Sequence, residues 1–341
     1  MDQIALLSKS DVYLMKQADE AERAIYPEWA MKLLFNAVAV PPDNKYLISK
    51  AVKLFLKMGA VQQILPILTQ HFNYFKDDIN EIKDVADLLD ENGAITQSLD
   101  YFEQAPPNDP ELQSYLILTL FKAGEKEKLL HYMNELLEKD NNNIDALSNG
   151  VYIFLTMGEN QKADAYMAQL NRLAPTKAKV QQLAGMIAER DGKLQLATDY
   201  YEKSFKGDPL DLATIEMLGN LLVKQQLWEK SINVYRKAFE NHPYEPYLME
   251  KLGSLLITCP DTRLRKIDEG MEYTQRALNH KASSPETILS AGNSLADAYA
   301  AKGDKRAASA YLNRNLDLAR RNNAPDEYVD EIGRKLKEYS Q

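Results

Sequence analysis

Apolar positions recur along the chain at helical spacing, and the helical stretches themselves recur. Ala178–Glu245 can be written as two lines of 34 residues, opening at Ala178 and Leu212. Gly185 then stands above Gly219, Ala197 above Ser231, Tyr201 above Tyr235 and Pro209 above Pro243. Each line holds two amphipathic helical patterns with a break between them. A fixed period of this size means one supersecondary unit stacked on copies of itself, since a lone helix pair cannot bury its apolar faces.

The frame extends in both directions. It gives units near 11–44, 45–78, 79–109, 110–143, 144–177, 178–211, 212–245, 246–288 and 289–322, followed by an amphipathic helix over 326–339 that would close the stack. The third unit is three residues short, and the eighth carries an insertion at Cys259–Lys266 expected to protrude as a loop. Gly59, Gly93, Gly124, Gly158, Gly192 and Gly303 fall where the first helix of a unit must stop, and a glycine there can adopt the left-handed conformation. Gln226 takes that place in the seventh unit. Ala30, Ala163, Ala197, Ser231 and Ala308 are small residues that let the second helix approach the first. Pro42, Pro175, Pro209 and Pro243 follow the second helix, where a missing N–H ends the hydrogen-bond ladder. Phe102, Met133, Tyr201 and Tyr235 are spaced to face the next unit.

Over about Asp11–Asn322 this pattern resembles the tetratricopeptide repeat family, whose units are 34-residue helix–turn–helix pairs. The family tryptophan is absent, with Ile215 in its place in the seventh unit. The segment Leu255–Leu278, with a Cys-Pro-Asp turn, looks like a variant found in bacterial repeat proteins, which favours a bacterial source. The resemblance implies an all-α, right-handed superhelical solenoid of about nine units, more than one superhelical turn, with a deep concave groove. Pentatricopeptide repeats, similar in length and RNA-binding, lack the regular terminal proline and carry a basic groove.

Composition narrows the function classes. The 341 residues carry a net charge of −9, against the clustered Lys and Arg that phosphate neutralisation needs, so nucleic acid is not an expected partner. No apolar run approaches the roughly 18 residues of a membrane span. The single cysteine, Cys259, excludes an intramolecular disulfide framework and fits the cytoplasm. The first 24 residues show no signal-peptide pattern, yet the chain opens almost directly into a repeat. A removed leader or preceding domain would make it periplasmic or part of a larger protein. The four histidines, His71, His131, His242 and His280, are too scattered to share a helix face and read as surface or repeat-junction residues. No metal-ligand spacing, phosphate-cradling loop or nucleophile–base arrangement occurs, so neither a cofactor nor catalysis is expected.

In the family, first-helix positions line the concave groove. Carried over, this implies Leu118, Phe121 and Lys122 from the fourth unit, Ser148, Tyr152 and Leu155 from the fifth, Gln182 and Met186 from the sixth, and Glu216 and Asn220 from the seventh. The apolar members form a candidate seat for a peptide or helix, with Ser148, Gln182 and Asn220 offering hydrogen bonds. The alternative is that stacking half-buries these side chains in any case. A chaperone-tail clamp is disfavoured, because Glu216 stands where its lysine is required. Asp77–Glu111 holds eleven acids and one base, Lys83, a local balance of −10. Asp87, Asp90 and Glu91 there are groove-facing candidates for a basic partner segment, or else a solvated face.

The reading is therefore a non-enzymatic scaffold for a protein or peptide partner. The alternative is the recruiting region of a larger enzyme or of secretion or cell-envelope machinery. Self-association is expected through the N-terminal unit, since the charged last helix would limit stacking at the other end.

Overall fold

Most described helix pairs open on a residue whose side chain caps the first turn. The computed structural model describes Lys16 and residues 32–34, 45–104, 110–280, 283–321 and 324–339. All regular elements among these are α-helices. They are α1 (Lys45–Lys57), α2 (Val61–Phe75), α3 (Ile79–Glu91), α4 (Ile95–Gln104), α5 (Pro110–Lys122), α6 (Lys126–Lys139), α7 (Ile144–Thr156), α8 (Asn160–Leu173) and α9 (Ala178–Arg190). After them come α10 (Leu194–Gly207), α11 (Leu212–Lys224), α12 (Trp228–Asn241), α13 (Pro246–Thr258), α14 (Ile267–Asn279), α15 (Pro285–Ala301), α16 (Lys305–Arg321) and α17 (Asp326–Tyr339). The ninth pair thus opens at Pro285, four residues before the Leu289 read from the periodicity, because Ser284 caps it and Pro285 fits its first turn. Apart from Lys16 and residues 32–34, the first expected unit, with its small residue Ala30 and the proposed self-association surface, lies outside the described residues, as do Pro106, Pro107 and Asp109.

The residue closing one unit caps the next. Asp78, Asn143, Asp211, Glu245 and Ser284 each accept hydrogen bonds from the first-turn N–H groups of the following helix. Between the two helices of a unit the chain reverses through a left-handed residue. The six turn glycines have φ between 70° and 82°, and Gln226 adopts φ 61° in the same place. In each of these turns the residue that follows donates its N–H to the carbonyl five residues back, as Ala60 does to Phe55 (2.9 Å) and Leu227 to Leu222 (2.8 Å).

The eighth pair departs from this rule. There Lys266 N–H donates to Leu256 O across the insertion (2.8 Å). The insertion does not protrude throughout. Cys259 is buried, Leu264 packs on the core, and Arg265 Nε donates to the Cys259 carbonyl (2.8 Å), so a compact turn replaces the expected loop. In this pair α13 and α14 also approach backbone to backbone, Gly253 against Gly270, with the Thr274 hydroxyl beside the contact.

Two compact units divide the chain, Met1–Gln169 and Leu170–Gln341. In the first, one core runs from Leu34 through Ile48, Ile82, Ile117, Met133 and Phe154 to Ala163. In the second, α9–α13 bury Tyr201, Ile215, Leu218, Tyr235 and Leu252, and α15–α17 bury Leu289, Leu312 and Ile332. Tyr201 and Tyr235 lie against a glycine of their own unit rather than serving only the next one: a Cβ on Gly185 or Gly219 would overlap their rings. Gly150 and Tyr166 repeat the arrangement. The small second-helix position is closed by a hydroxyl where it is serine, Ser231 donating to Gly219 O (3.0 Å) and Ser98 to Ala86 O (2.9 Å).

Candidate functional site

First helices of adjacent pairs touch each other, α1 with α3, α3 with α5, α5 with α7 and α13 with α15, so their outer positions form a face. In the first compact unit that face carries Phe121 of α5 and Tyr152 of α7. Their rings meet edge to face, 6.4 Å between centroids. Both rings and Leu155 are half-buried against the core, and Leu118 is half-buried beside them in the sequence of α5. Ser148 is not on the face. It is buried, and its Oγ has no hydrogen-bond partner.

The acidic residues of α3 do come together, with cations from other units among them. Lys122 of α5 pairs with Asp90 Oδ2, while Asp90 Oδ1 is buried without a partner. Half-burial, reinforced by the like charges of Glu91 and Asp90 against the opposing Lys83 and Lys122, pushes the Asp87 carboxyl up to about 6. Lys53 of α1 reaches both Glu81 (2.8 Å) and Asp84 (2.8 Å), and Lys128 of α6 reaches Glu103 (3.5 Å). The local balance of −10 read along the sequence is therefore reduced in space by lysines about one repeat away. Similar rungs join Lys126 to Glu159, Lys224 to Glu189 and Lys302 to Asp268.

Sequence reasoning missed a buried polar cluster at the junction of α1–α4. His71 is fully buried, its Nε2 3.0 Å from Glu81 Oε1 and its Nδ1 3.1 Å from Tyr101 Oη. Tyr101 donates its proton to Leu68 O (2.9 Å), and Ser49 also bonds Glu81. Burial would raise the Glu81 carboxyl, but hydrogen bonds from His71, Lys53 and Ser49 outweigh it and hold the group at about 2. The contributing residues stand 10 to 32 positions from Glu81, so no local motif announces them.

In the second compact unit Gln182 lies inside. It donates to Asp211 Oδ2 (2.8 Å) and Thr214 Oγ1 (2.9 Å) and accepts from Lys179 Nζ (2.6 Å), so its amide joins α9 to the start of α11. Met186 is half-buried against the core. Glu216 and Asn220 of α11 are exposed. Asn220 borders two cavities. One, about 340 Å³, is bounded by Glu189 of α9 and by Glu216, Met217 and Lys224 of α11. The other, about 350 Å³, is bounded by Trp228 and Tyr235 of α12 and by Lys251, Ser254 and Leu255 of α13. Tyr235 donates to Asn220 Oδ1 (3.3 Å). The Tyr247 hydroxyl is buried, and burial, with Tyr235 and Glu216 nearby, drives its phenol far above the usual range.

No protein-family model and no curated protein matches the sequence. Solved structures do. PilF of Pseudomonas aeruginosa matches with a TM-score of 0.51 at 17% identity, over 66% of this chain and 97% of that one. PilW, described as a widely conserved type IV pilus biogenesis factor, matches with a TM-score of 0.51 at 15% identity, over 65% and 97%. A chain of the APC/C Cut9–Hcn1 hetero-tetramer matches with a TM-score of 0.55 at 14% identity, over 94% and 69%. The fold is that of the tetratricopeptide repeat. Among the described residues no helix is long and apolar enough to cross a membrane.

Proposed function

We propose that this protein is a non-enzymatic scaffold that captures a peptide segment on the first-helix face of its tetratricopeptide units, with α11 at the centre of the contact in the second compact unit. The observation that carries this reading is Asn220. It is exposed between two cavities, and the Tyr235 hydroxyl occupies its carbonyl oxygen, which leaves the amide hydrogens to donate to a ligand backbone. Glu216 and Lys224 stand on the same helix and supply opposite charges for flanking side chains. The Phe121–Tyr152 pair is a second, apolar contact in the first compact unit. Asp87, Asp90 and Glu91 support a landing site for a basic segment less well, because Lys122 already pairs with Asp90. The same surfaces would serve if the chain recruits partners for a larger enzyme or an envelope machine.

Selection of binders from a random peptide display library tests the proposal. Selected peptides are expected to lose about tenfold in affinity for Asn220→Ala, the loss of one or two hydrogen bonds to a partly desolvated group. Peptides that seat on α5 and α7 should respond instead to Phe121→Ala/Tyr152→Ala. Binders indifferent to both variants would remove these surfaces from the function.

A further inference from the structure

Gly185, Gly219, Gly253 and Gly292 are each the eighth residue of a first helix, α9, α11, α13 and α15. Each receives a group from the second helix of its own pair: the Tyr201 ring, the Tyr235 ring, Thr274 with the Gly270 backbone, and the Asn315 amide. Gly333 is the eighth residue of α17 and occupies the same register. A Cβ placed on Gly333 would have nothing within 4 Å.

α17 also docks as a first helix does. It packs on α16, buries Ile332, and reaches α15 through Lys335 to Asp297 (2.7 Å), Tyr339 to Asp297 (2.8 Å) and Asn293 to Tyr328 (2.8 Å). Among the described residues no group covers its glycine. A cleft of about 640 Å³ lies between α16 and α17, lined by Leu316, Val329 and Gly333.

The rim of that cleft decides what fits. Along α17, Glu327 and Asp330 lie toward the N-terminus and Arg334 and Lys337 toward the C-terminus, on one stripe and all exposed. Two such stripes laid antiparallel are complementary. About a twofold axis at the level of residue 332, Glu327 of one copy meets Lys337 of the other, and Asp330 meets Arg334. We propose that α17 is a homodimerisation element, in which a second copy of this chain lays its own α17 antiparallel into the cleft. The absent Cβ at Gly333 lets the two backbones approach, as Gly253 and Gly270 already do between α13 and α14. The contact is isologous, so it closes at two copies. This element is separate from the α11 surface and independent of the peptide reading.

A contact of one helix per copy is small, and a dissociation constant on the order of 10–100 µM is expected. Sedimentation velocity of the full chain from about 5 to about 500 µM tests it across that range. The wild type should pass from monomer to dimer. Glu327→Lys/Asp330→Lys and Arg334→Glu/Lys337→Glu each make the stripe a single sign, and each should weaken self-association by more than about tenfold. An equimolar mixture of the two should recover a dimer, now of one copy of each. Gly333→Leu should abolish dimerisation without lowering the thermal midpoint of the monomer, since nothing lies over that position. A wild type that stays monomeric over the whole range overturns the proposal. So does a dimer that the charge reversals and Gly333→Leu leave unchanged, or a mixture that fails to pair.

Discussion

A single backbone angle separates the seventh pair from its neighbours. Gln226 holds φ 61° where the other regular turns use glycine. A side chain in that region costs roughly 1 kcal/mol, part of which glycine returns as unfolded-state entropy. Gln226→Gly should therefore stabilise the protein by about 0.5–1 kcal/mol, read as a higher urea midpoint at unchanged slope. Asp87 and Glu81 give opposite pH responses. The Asp87 carboxyl is raised to about 6, so its contribution is fully present below the unfolded value near 4 and is lost as pH rises through 6. Asp87→Asn should stabilise at pH 7.5 by about 1 kcal/mol, allowing for its partial exposure, and have little effect near pH 4. The Glu81 carboxyl is lowered to about 2, so its contribution is present above about 4.5 and disappears as pH falls toward 2. Glu81→Gln should destabilise by about 2 kcal/mol at pH 7 and by much less at pH 2.5, measured by chemical denaturation at each pH.

The unit of construction is the helix pair, and its tightest point is a glycine beneath a ring. Gly219→Ala adds helix propensity worth about 1 kcal/mol, yet its methyl would overlap the Tyr235 ring, and overpacking of this kind costs about 1–3 kcal/mol. Gly333→Ala meets no neighbour and should only stabilise. The two substitutions should thus shift the thermal midpoint in opposite directions. The glycine, alanine and tyrosine columns were all legible in the sequence, because each recurs at a fixed offset and has a local backbone or size reason. Which column touches which was not, since Gly185 and Tyr201 meet only once the turn at Gly192 has folded the pair. The candidate groove fared likewise. Asn220 and Glu216 are exposed as the register implies, but Gln182 turns inward because Asp211 and Thr214, one unit later, offer it better partners than water does. The acids of α3 were legible as a run. Their neutralisation by Lys53, Lys122 and Lys128 depends on stacking and cannot be read from neighbours in the chain.

Within each compact unit, the principal contacts among the described residues join helices one or two places apart, so cooperativity has to be passed along from pair to pair. Each compact unit has core clusters of its own, in the first running over α1–α8 and in the second split between α9–α13 and α15–α17. Hydrogen exchange in rising urea should therefore show protection lost at different midpoints for residues of α1–α7 and of α9–α13. One coincident transition for all amides would mean that coupling between neighbouring pairs exceeds the difference in their own stabilities. The rungs of lysine and carboxylate about one repeat apart add weakly to that coupling, because exposed ion pairs are screened by solvent.

Cys259 closes the compact turn of the eighth pair, and it is the only thiol in the chain. With 1% of its surface exposed, it is hidden from an aqueous reagent until α13 and α14 part. The wild-type protein therefore carries its own clock. The rate at which a maleimide or a chromogenic disulfide consumes that sulfur, compared with a free thiol, reports how often this one joint opens. A ligand settling beside Lys251 and Leu255 would slow the labelling without touching the sulfur itself.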